Sequence, residues 1–166
     1  QGELRIMCEK KENLELQPVN MYILFAKLFA HIAKEVVNSC GEEGIKAVRE
    51  GVKKFGEERG RNIAKRAKLM GHEAVPEYYL SCYDMGRSTY FSSEDKIENG
   101  HVEQVFTKCI FAEQWIQDGN EKYGIHYCEM IDPSIAHGFC ENFKCMHDKQ
   151  FFKDGYCHFL FSMQEK

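Results

Sequence analysis

The sequence predicts an α+β fold, with a helical hairpin and short helices packed on an antiparallel sheet of about four strands built from two hairpins. Three observations carry this. Residues 20–71 keep an apolar period near 3.6 with one break at "SCGEEG". From about residue 87 the period drops towards 2. Two turn dipeptides, Asn99-Gly100 and Asp154-Gly155, sit inside that second region.

In the first segment Asn20 is placed to cap a helix. Its stripe is Met21, Leu24, Phe25, Leu28, Phe29, Ile32, Val36 and Val37. After Gly41 the stripe resumes with Ile45, Val48, Val52, Phe55, Ile63 and Met70, and Gly71 stops it. Glu42 and Glu43 lie in the first turn, and Arg61, Lys65, Arg66 and Lys68 near the end, the order that complements the helix dipole. That basic run reads as a solvated helix face rather than an anion site. The two helices are expected to pair antiparallel, and Pro76 opens a further short helix.

With Asn99-Gly100 as a turn, Ile97 faces Val102, Ser93 faces Phe106 and Lys96 faces Glu103. With Asp154-Gly155 as a turn, Phe152 faces Cys157, Gln150 faces Phe159 and Asp148 faces Phe161. Cys157, Phe159, Phe161 and Met163 then share the face turned to the helices, with His158 on the other. Between the hairpins, "IFAEQWIQ" suits a helix ending near Gly119, and "EKYGIHYCEMID" a second one. Asp132-Pro133 suits the N-cap and first position of a third. The whole chain, 1–166, is expected to be one domain, with a helical layer over about 20–71 and the sheet with inserted helices over about 87–163.

Composition narrows the function. A net charge of −4 speaks against a nucleic-acid partner. The longest apolar run, "NMYILFAKLFAHIAKEVV", is too short and too charged to span a bilayer, so no membrane partner is expected. Eight cysteines without a secretory signal predict reduced thiols in a cytoplasmic protein. His137, Cys140, Cys145 and His147 form H-x2-C-x4-C-x-H, which matches no common zinc or iron–sulfur spacing. Neither a metal nor another cofactor is expected. Cys109, at a strand-to-helix junction, and Cys128, four residues before Asp132, are candidate nucleophiles, with His126, His137 and His158 as candidate bases.

The segment from Lys108 to Phe161 resembles the L-2-amino-thiazoline-4-carboxylic acid hydrolase family. The matching elements are "CIFAE", "YCEMID", "FKCMHDKQ" and "GYCHFLF". "LFAHIAKEVVNSCGEEGIKAVREGVKKFGEERG" shares the family's character more loosely. His158 stands where relatives usually have Asp, and Ile110 where they usually have Pro. The resemblance implies a small hydrolase acting on the C–N bonds of a cyclic amidine or isothiourea. It would open a 2-aminothiazoline-4-carboxylate-like ring to N-carbamoyl-cysteine. It implies Cys109, Cys128 and Asp132 as catalytic residues, with Cys157, Gln150 and Phe159 lining the substrate site. Arg87 and Lys108 are candidates for the substrate carboxylate. A homo-oligomer is compatible with this reading. The alternative is a non-catalytic small-molecule sensor resembling vinyl-reductase-type (4VR) domains.

Overall fold

A computed structural model describes residues 18–86 and 88–164. It shows the expected α+β architecture. Helix α1 spans Met21–Leu69 and is broken at Gly41, whose φ of 56° and ψ of −132° are not helical. The break reverses the chain. Phe25, Phe29 and Ile32 of the first arm line one groove with Val48, Val52 and Phe55 of the second. The two arms therefore form the antiparallel hairpin that the interrupted period predicts. Asn20 caps the first arm, its Oδ1 accepting from the Tyr22 N–H at 2.7 Å.

The buried seam of the first arm is not the large-residue stripe. Ala26, Ala30 and Ala33 are buried, while Met21, Leu24, Leu28 and Ile32 are exposed. Small residues let the next layer approach the helix backbone, and the Trp115 indole donates to the Ala26 carbonyl at 2.8 Å.

After the short helix α2, Pro76–Tyr79, come β1, Phe91–Glu98, and β2, His101–Cys109. Ile97 pairs with Val102, Lys96 with Glu103 and Ser93 with Phe106, as the Asn99-Gly100 turn requires. Helix α3 covers Ile110–Gln117 and ends before Gly119. Helix α4 then runs unbroken from Glu121 to Phe139. Asp132-Pro133 does not open a new helix; Pro133 lies inside α4. The local capping signal loses to tertiary packing, because residues on both sides of Pro133 are fixed against α1. The Ile131 carbonyl and Ser134 meet Gly56, and Ile135, Gly138 and Phe139 meet Gly60. The Ser134 hydroxyl donates to the Met130 carbonyl at 2.6 Å just beside the proline.

Strands β3, Phe143–Lys149, and β4, Cys157–Met163, complete an antiparallel sheet of order β1-β2-β4-β3. Their register corrects the expected one. Phe159 faces His147 and Phe161 faces Cys145; Phe152 is not on a strand. The cause is α5, Phe151–Asp154, a single helical turn that absorbs residues assigned to the strand. Asp154 Oδ2 accepts from the Gln150 N–H at 2.9 Å, and Gly155 ends the turn at φ 78°. A left-handed glycine after an aspartate serves a helix end as well as a hairpin. The β4 faces are as expected: Cys157, Phe159 and Phe161 are buried and His158 is more exposed than either neighbour, although Met163 is exposed at the strand end. Among the described residues no helix is long and apolar enough to cross a membrane.

Candidate functional site

A cavity of about 470 Å³ lies between the inner face of the sheet and the helical layer, within the size range of small-molecule sites. Strand alternation supplies one wall. Gln104 and Phe106 come from β2, Cys157 and Phe159 from β4, and His147 from β3. Helix α4 supplies the opposite wall with Tyr127, Cys128, Ile131 and Asp132, spaced so that all four share one face. Cys109 and Phe111 close the end where β2 turns into α3. Arg59 reaches in from the second arm of α1.

The sequence-predicted residues therefore meet in large part. Cys109, Cys128, Asp132, Cys157 and Phe159 all line this one cavity. Gln150 does not line it; it precedes α5, where its backbone is tied to Asp154. His126, His137 and His158 are outside it too. His137 sits near the Glu141 carbonyl, and His158 lies on the outer face between Asp148 (2.6 Å) and Glu103 (3.1 Å). Lys108 donates to the Thr89 carbonyl and is not a wall residue. Arg87 lies outside the described residues.

Arg59 and His147 are among the wall residues that were not legible. Arg59 belongs to a helix read as solvated on its charged side. It becomes a site residue only because Asp84, 25 positions later, folds back on it. Its Nε and Nη2 donate to Asp84 at 2.9 and 2.7 Å, and the Tyr83 ring lies 5.4 Å below the guanidinium. Burial opposes its charge, but the Asp84 hydrogen bonds, together with the electrostatic pull of Tyr83, Tyr127 and Asp84, outweigh this and keep it protonated. The sequence offers His147 only as a possible metal ligand. It stacks on Phe159 at 4.2 Å, facing it across the strands, a contact that the corrected register creates. Burial lowers its pKa. The backbone groups of Lys149 and Cys128 near the ring oppose that, but neither ring nitrogen reaches hydrogen-bond geometry.

Desolvation dominates the electrostatics of the cavity. It pushes the Asp132 carboxyl up to about 6, with the Arg59 charge opposing the rise. Asp132 is surrounded by protein yet faces the open cavity, so it is deep without being sealed. Burial pushes the Cys109 thiol up to about 11. The first N–H groups of α3, at Ala112 and Phe111, offset part of this without forming a capping hydrogen bond. Cys157 rises to about 12 and Cys128 rises well above an ordinary thiol, again through burial. All three are unpaired among the described residues. Among the described residues no three His, Cys, Asp or Glu side chains are placed to hold a metal ion.

Fold and site together define an α+β protein with a desolvated cavity lined by thiols and a carboxyl, set between a helical layer and an antiparallel sheet. The chain belongs to the L-2-amino-thiazoline-4-carboxylic acid hydrolase family, whose sequence profile matches residues 21–161. No curated protein and no solved structure matches it.

Proposed function

We propose that the protein is a hydrolase that opens a cyclic isothiourea of the 2-aminothiazoline-4-carboxylate type to N-carbamoyl-cysteine. Family membership supports the reaction class. The observation that carries the reading is the Asp132 carboxyl, held inside the cavity beside three thiols and raised to about 6. A carboxyl in that range is ionised enough at neutral pH to accept a proton and acidic enough to return it.

The net reaction adds one water. Its oxygen bonds to the ring carbon between nitrogen and sulfur and becomes the ureido carbonyl. The bond from that carbon to the ring sulfur breaks. One proton ends on the ring nitrogen and the other on the released thiol. Attack comes from water directly or from Cys109, whose thiolate faces the first N–H groups of α3. On the second route the new bond from Cys109 to the carbon is broken in turn by the water, whose oxygen becomes the carbonyl as the Cys109 thiol is released. Because burial keeps the thiols protonated, Asp132 takes the first proton on either route and delivers it to the departing sulfur. Arg59 Nη1, left free by the Asp84 pairing, is the cation for the substrate carboxylate.

The test is thiol release from 2-aminothiazoline-4-carboxylate and a panel of cyclic amidines. Asp132→Asn should lower turnover by roughly a hundredfold or more. Cys109→Ser separates the routes, since full activity there leaves direct attack by water. The raised thiol pKa values favour a second reading, a binding module without turnover. Ligand binding with no thiol release from any compound of the panel would select it.

A further inference from the structure

Gln104 is one of the few buried polar residues among those described, 8% exposed, and it lies in the sheet wall of the cavity. Its Nε2 donates to Asp95 Oδ1 at 2.9 Å, from the directly opposite position on β1. Asp95 also lines the cavity. An amide can turn either end outward, but an ionised carboxylate has no proton to give. Asp95 therefore fixes the Gln104 amide with its NH2 group towards β1. Its Oε1 has no donor among the described residues and is not sealed from solvent. The free oxygens of Gln104 and Asp95 form an acceptor edge on one side of the cavity, opposite in character to Arg59 on the helical side.

We infer that Gln104, locked by Asp95, is a specificity-determining residue that reads N–H donors on the 2-position of the substrate ring. This rests on the proposed ring-opening function. It orients the ring, with the exocyclic amino group towards β1 and β2 and the carboxylate towards Arg59. The carbon under attack then lies between them, in the cavity that Asp132 and Cys109 both line. A ring with a methyl group in place of the amino group has the same shape and offers no donor there. It also leaves the Gln104 oxygen unpaired when it excludes water.

Calorimetric titration of two aromatic analogues that do not ring-open, 2-aminothiazole-4-carboxylate and 2-methylthiazole-4-carboxylate, tests the assignment. The wild-type protein should prefer the amino compound by roughly tenfold or more. Gln104→Leu should bring the two within about threefold of each other, mainly by weakening the amino compound, because one hydrogen bond is deleted. Asp95→Ala, on the exposed edge strand, should lower the preference as well by releasing the amide, and it carries the test should Gln104→Leu fail to fold. Unchanged preference in either folded variant overturns the assignment, and so does a wild-type protein that binds both compounds equally, although that leaves the ring-opening reading intact. Binding of neither compound by the wild type overturns the assignment too, and thiol release from 2-aminothiazoline-4-carboxylate decides the ring-opening reading separately.

Discussion

Helix α4 has two faces that could hardly differ more. Its back is pressed against the second arm of α1 through glycine. A Cβ on Gly60 would strike the Ile135 carbonyl, the Phe139 nitrogen and Gly138, and one on Gly138 would strike the backbone of Glu57. Its front carries Tyr127, Cys128, Ile131 and Asp132 into open space. The contrast explains how a buried carboxyl is tolerated. Backbone-to-backbone packing on one side fixes the helix, so the other side can hold an unpaired acid and an unfilled volume without collapsing around them.

The largest effect is expected on the dry face. Gly60→Ala should cost about 3 kcal/mol, because the new methyl meets backbone rather than side chains that can move aside. Chemical denaturation checks this. Stability within about 0.5 kcal/mol of the wild type would mean that the two helices are not in backbone contact.

A smaller effect of opposite sign belongs to the cavity face. The folded-state pKa of Asp132 is raised from 3.8 to about 6, so between those values the folded protein holds a proton that the unfolded chain has lost. Stability therefore falls as pH rises through this window, and the cost is fully present above it. Asp132→Asn should accordingly be more stable than the wild type by about 2 kcal/mol at pH 7.5, with the difference gone below pH 4. Urea titrations of both proteins at several pH values measure it. A variant less stable than the wild type at pH 7.5 would place Asp132 in a structural role.

The smallest effect lies outside both faces. His158 bridges Asp148 and Glu103 across the outer face of β3, β4 and β2. The Asp148 hydrogen bond raises its pKa above 6.5 against desolvation, with Glu103 assisting. That stabilisation is present in full below 6.5 and is lost as pH rises through the raised value. With a half-exposed partner on either side, His158→Ala should cost only about 0.5 kcal/mol at pH 6, and less at pH 8.5. A cost that grows with pH would contradict the clasp.

The same contrast separates what was legible in the sequence from what was not. Asn20, Asn99-Gly100 and the alternation along β4 act locally, and the structure follows each of them. Asp132-Pro133 and Asp154-Gly155 are also local signals, but each has two structural uses. At Asp132 packing through Gly56 and Gly60 decided the outcome, and at Asp154 a one-turn helix did. Misreading the second put Gln150 at the site in place of His147. Nothing in the spacing of Cys109, Cys128, Asp132 and Cys157 required them to meet. Their family resemblance indicated it, and the fold brings them to one cavity. Arg59 had no sequence signal, because its partner Asp84 is distant in the chain and ordinary in type.

The central claim is that Asp132 is a desolvated acid poised near neutral pH. Carbon-detected NMR titration of aspartate carboxyl groups, with Asp132→Asn assigning the resonance, tests it most directly. The account predicts a carboxyl that titrates at about 6 and disappears in the variant. An Asp132 carboxyl that titrates at the ordinary aspartate value, near 3.9, would contradict it.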